Sequence, residues 1–108
     1  MRKLDEITGL LAETRDRLVA RYGDAIRKVI VYGSFARGTA TEDSDIDLAV
    51  IVADSLDPRK VRKALDDFLF DVLLERKELV AVLPIRESDF NAYNYPVFLS
   101  IKAEGIPV

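Results

Sequence analysis

From Val29 to Val52 the chain reads V-I-V-Y-G-S-F-A-R-G-T-A-T-E-D-S-D-I-D-L-A-V-I-V. An apolar run ends at Tyr32 in the turn pair Gly33-Ser34, a polar segment follows, and Asp45 and Asp47 stand at the head of a second apolar run, Ile46 to Val52. Successive side chains of a strand alternate faces, so Asp45 and Asp47 project to one side, one pleat apart. Two carboxylates that close repel unless a cation lies between them or one holds a proton. Acidic turn residues answered by an arginine would be the plain alternative. Asp47, however, falls inside an apolar strand, where an unpaired charge is costly and a partner is required. A glycine turn facing a D-x-D pair predicts a phosphate cradle opposite a divalent-metal site.

The flanking segments give the frame for these two strands. Leu4, Ile7, Leu11, Leu18 and Tyr22 recur at helical spacing and predict a helix over residues 3–22, stopped by Gly23. Strands are predicted at Arg27–Tyr32, Ile46–Val52 and Glu78–Ile85. Asp57-Pro58 reads as an N-cap followed by N1, opening a helix to Arg76. Ser88-Asp89 starts a turn or short helix. Asn94-Tyr95-Pro96 repeats the cap signal for a last helix to Glu104, with Gly105 as its C′ residue and Ile106 packing back. The first two strands are joined by too short a segment for a crossover helix, so they run antiparallel. The expectation is an α+β fold: a small mixed β-sheet with helices packed on it, in one domain spanning residues 1–108.

Composition narrows the chemistry. With 108 residues, 49% of them hydrophobic and 32% charged, the chain can fold around a modest core. A formal charge of −3 argues against broad nucleic-acid binding, and no direct nucleic-acid partner is expected. There is no cysteine and no histidine, which removes thiol and imidazole nucleophiles, bases and metal ligands. What remains is carboxylate, hydroxyl, Lys, Arg and backbone, and oxygen donors of that kind suit Mg²⁺. The N-terminus lacks a signal-peptide pattern and no window suits a membrane span, so the expected compartment is the cytoplasm with no membrane contact.

Gly33 to Thr39, G-S-F-A-R-G-T, is not a P-loop, because the lysine that should follow the second glycine is missing. Taken together, G-S-F-A-R-G and D-S-D-I-D-L resemble the signature of the polymerase-beta-type nucleotidyltransferases, and are most similar to the minimal nucleotidyltransferase (MNT) group. The leading helix and the final E-G-I-P-V also resemble that group, so the likeness spans nearly the whole chain. The resemblance implies a palm-like nucleotidyltransferase fold. It implies that Gly33 lets the backbone approach a triphosphate, that Ser34 donates to the β- and γ-phosphates, and that Asp45 and Asp47 hold two Mg²⁺ ions. Arg37 stands near enough to neutralise phosphate charge, or is a surface arginine. Ser44 hydrogen-bonds within the site, or caps its turn. Such enzymes use a third carboxylate on a neighbouring strand, and Glu78 is the best-placed candidate, as a metal ligand and acceptor of the attacking hydroxyl's proton. Asp71 and Glu75 belong to a helix pattern.

The activity so implied is Mg²⁺-dependent transfer of a nucleoside monophosphate, AMP from ATP, to a hydroxyl acceptor. MNT proteins are typically antitoxins of helical HEPN ribonuclease toxins, implicated in adenylylating a tyrosine of that toxin. The implied acceptor is therefore a protein partner, within a homo- or hetero-oligomer. A competing reading is a catalytically weak or inactive nucleotide-binding module that neutralises its partner by contact. Modification of an aminoglycoside lacks the extra domain it would need. Tyr93, Tyr95 and Phe98 form an aromatic cluster that either packs on the sheet or faces a partner.

Overall fold

A computed structural model of the protein describes all 108 residues. In chain order the elements are α1 (Thr8–Tyr22), β1 (Ile26–Tyr32), α2 (Ser34–Arg37), β2 (Ile46–Val52), α3 (Pro58–Arg76), β3 (Val80–Arg86), α4 (Glu87–Ala92), α5 (Pro96–Glu104) and β4 (Ile106–Pro107). The four strands form one sheet in the order β3-β2-β1-β4. β1 runs antiparallel to β2 and to β4, while β2 and β3 are parallel across the α3 crossover. The expected small mixed sheet with helices packed on it is the observed architecture.

The alternation in β2 decides how the layers stack. Ile46, Leu48, Val50 and Val52 join Val29 and Val31 of β1 beneath α1 and α3, in a buried cluster of 17 residues. Ala49 and Ile51 face the other way and meet Ile30, Ile85, Phe90, Phe98 and Ile101 in a cluster of only 7. Helices α4 and α5 thus cover only part of the second face. The uncovered part is at the start of β2, where Asp47 follows Ile46, so the acidic pair lies at the open end of an otherwise buried strand. Leu48 is fully buried, and truncating such a leucine typically costs about 2–5 kcal/mol.

Local chemistry sets the ends. The Asp57 carboxylate accepts from the Arg59 backbone N–H at 2.9 Å, with Pro58 as the first helical residue of α3. Gly23 stops α1 with φ +56°. The helix expected over residues 3–22 is divided: a 3-10 turn at Leu4–Glu6 precedes α1. There the Glu6 carboxylate accepts from the Lys3 N–H at 2.7 Å, and the Arg2 N–H donates to the Ala40 carbonyl at 2.8 Å.

Three expectations are corrected. β3 begins two residues later than expected and continues through Pro84 to Arg86. Proline is tolerated there because β3 is an edge strand. Gly105 is not a left-handed C′ residue: it is extended at φ −64°. It is glycine because a Cβ would strike the Ile101 carbonyl and the Ile30 side chain. Ile106 does more than pack back, pairing with Val31 as part of β4.

Candidate active site

β1 delivers Tyr32 and then turns sharply at Gly33, whose φ of +75° and ψ of −152° lie where residues with a Cβ are strained. A second constraint acts on the same atom. A Cβ on Gly33 would point directly into the carboxylate of Asp47. Only glycine lets the turn and the acidic strand lie this close. Ser34 follows as the first residue of α2, half-exposed, and its carbonyl accepts from the Thr39 N–H at 2.9 Å. Gly38, at φ +78°, ends α2 after a single turn.

Asp47 pairs with Tyr32 in the β1–β2 register and is half-buried, whereas Asp45 is exposed. Burial, reinforced by the charge of Asp45 and opposed by Arg37, pushes the Asp47 carboxyl above the usual carboxylate range. Burial and then Asp47 push the Tyr32 phenol up in turn. Neither aspartate belongs to any of the seven ion pairs of the chain. The pair is therefore two hard-oxygen groups, about 7 Å apart along the strand, with the charge of Arg37 nearby but no ion-pair contact to either. A divalent cation would supply that contact, so the donor set fits Mg²⁺.

The remaining predicted residues separate. Arg37 lends its charge to Asp47 but donates to Glu104 at 2.9 Å, and its side chain is half-exposed. Ser44 caps its turn, accepting from the Thr41 N–H at 2.9 Å through its hydroxyl. Glu78 does not come to the pair. It receives both arms of Arg2, at 2.6 and 2.9 Å, with both side chains largely buried. Arg2 also lies over the Phe35 ring at 5.2 Å, and the guanidinium is held charged by Glu78. No three acidic side chains are grouped so as to share a metal.

The reason lies in the parity of β3. Val80 and Val82 pack beneath α1 and α3, and Glu78 shares their parity and lines a groove with Ile7 and Leu10. The residue in register with Asp47 is Ala81. A third carboxylate facing the pair would stand at position 81, where this chain has a methyl group. Tyr32 and Glu104, the neighbours of Asp47 and Arg37, were not expected at the site. Tyr32 was signalled by ending the strand immediately before Gly33, whereas nothing in the sequence signals Glu104.

Residues 11–99 match the nucleotidyltransferase domain family. Over 69 residues the chain is 38% identical to a Methanocaldococcus jannaschii protein provisionally named a protein adenylyltransferase, a match covering 64% of this chain and 45% of that one. Over 50 residues it is 42% identical to the protein adenylyltransferase MntA of Thermococcus cleftensis, covering 46% of this chain and 48% of that one. The chain thus spans about half the length of these relatives. In fold it is similar to a toxin–antitoxin crystal structure with AMP-PNP, at TM-score 0.58 and 19% identity, over 88% of this chain and 69% of that one.

Proposed function

The chain belongs to the nucleotidyltransferase domain family, and from that premise we propose that it transfers AMP from ATP to a hydroxyl of a protein partner, as the antitoxin of a HEPN toxin. In this reading residues 1–108 act as one domain, in the cytoplasm, with Mg²⁺ as cofactor. The observation that carries it is the close approach of Gly33 to Asp47, which sets the glycine turn directly against an acidic pair that has no ion-pair contact.

The roles we assign are those the resemblance to the family implies, and the position of Gly33 against Asp47 is compatible with them. Backbone at Gly33 and the hydroxyl of Ser34 bind the β- and γ-phosphates, with Arg37 adding positive charge at the rim. Asp45 and Asp47 would hold the cation, which would supply positive charge against the triphosphate. The acceptor oxygen forms a bond to the α-phosphorus while the bond to the bridging oxygen breaks, and pyrophosphate leaves with the electron pair. With Asp45 and Asp47 assigned to the cation, this chain brings no third carboxylate to receive the acceptor's proton, which departs to solvent or to a group of the partner.

That last point supports a second reading, in which transfer is slow or absent and the partner is neutralised by contact. Incubation with α-labelled ATP, Mg²⁺ and the partner toxin separates the two. Label on the toxin, lost in Asp45→Ala plus Asp47→Ala, is the expected result. A tight complex without label, unchanged in that double variant, would leave only contact.

A further inference from the structure

α3 buries Val61, Leu65 and Val72 and turns a second apolar stripe outward. Phe70, Leu73 and Leu74 recur at helical steps and are 59%, 39% and 54% exposed, and Leu79, just before β3, is 49% exposed. Phe70, Leu73 and Leu79 line one groove of about 430 Å³ between the helix and the head of β3. Contiguous exposed apolar surface of this kind marks protein interaction sites. The groove reaches the head of β3, where the Leu79 carbonyl accepts from the N–H of Ile46, the residue between Asp45 and Asp47, at 2.9 Å.

Charge selects the occupant. Residues 66–79, the span of this surface, contain Asp66, Asp67, Asp71 and Glu75 against Arg76 and Lys77, with Glu78 taken by Arg2. None of the four is in an ion pair, since Arg76 beyond them is taken by Glu13 at 2.9 Å. A two-fold interface would set this stripe against its own copy, four unpaired carboxylates and one unpaired cation, Lys77, on each side, so that like charges predominate. A second copy of the chain is therefore disfavoured, whereas a positively charged surface is attracted and steered.

We propose that the outer face of α3, with Leu79, docks an amphipathic helix of a partner protein whose apolar stripe is edged by Lys or Arg. This rests on the reading that the chain acts on a protein partner, and it assigns the surface by which that partner is held beside the aspartate pair. Phe70 and Leu74 enter the partner's apolar stripe, while Asp66, Asp67, Asp71 and Glu75 face its basic rim.

The test uses the full chain and two labelled peptides of about five helical turns, alike in their leucine stripe and edged by Lys/Arg in one and by Glu in the other. The basic-edged peptide is expected to bind at least roughly 10-fold more tightly, with amide shifts confined to residues 66–81 and affinity falling with salt. Phe70→Ala plus Leu74→Ala is expected to weaken it by roughly 10-fold. Both residues are solvent-facing, so the fold is retained, and the thermal shift given by Mg²⁺ and ATP stays at the wild-type value as an independent check on the nucleotide site. Equal binding of the two peptides, or shifts centred on Tyr95 and Leu99, would overturn the proposal. So would concentration-dependent dimers that the double variant abolishes, because the occupant would then be a second copy.

Discussion

Asp47 is the second residue of β2, between the buried Ile46 and the buried run Leu48 to Val52, and is itself half-buried. Its pKa is raised by burial and by Asp45. With the folded value above the unfolded one, the stabilising contribution is full while the proton is bound. It is lost as pH rises through the folded value. At neutral pH the ionised group therefore weighs against the metal-free fold, which is the usual trade between a binding site and stability. Asp47→Asn is expected to raise Tm at pH 7.5 by roughly 2–5 °C. The gain shrinks as pH falls toward 4 or as Mg²⁺ is added to the wild type, and thermal melts across that range check it. Gly33 shows why the site was readable: a strand, a glycine and a D-x-D pair carry their geometry in local order. Arg37 was read only as a charge near the turn, because its partner Glu104 lies 67 residues away.

At the scale of the elements, period and parity separate what was legible from what was not. The two faces of β2, the Asp57-Pro58 start of α3 and the antiparallel β1–β2 pair follow from spacing alone. β4, two residues long, has no period to show. The head of β3 was the consequential ambiguity: Glu78 looked like a strand residue facing the aspartates, but it precedes the strand and turns to Arg2. The parallel register places Ala81 opposite Asp47 instead. Ala81→Asp is thus expected to raise Mn²⁺ affinity, and to speed label transfer by about 100-fold if proton removal limits it. In the absence of metal the added charge lowers Tm. A variant with unchanged metal affinity would show that position 81 does not address the site.

Across the whole molecule, the Arg2–Glu78 pair joins residues 76 apart in sequence and fastens the N-terminal segment to the head of β3. Breaking one side of a largely buried pair leaves the other charge without its partner. Glu78→Gln is expected to lower Tm by roughly 3–6 °C, while Mg²⁺ and ATP still shift the melt by the wild-type amount. Loss of that ligand-induced shift would instead place Glu78 within the nucleotide site. The sequence could supply the charges but not this partnership, which exists only once α1, α2 and β3 have come together.

Pro84 has a bearing on how copies of this chain behave when crowded. It sits within β3, the strand at one margin of the sheet, and brings a ring where another residue would bring an N–H. An extended segment trying to zip along that margin meets a missing donor midway. Growth by backbone pairing, the route to fibrils, is interrupted there by one imino acid. Association at this margin is left to side chains, whose contacts can be selective and reversible.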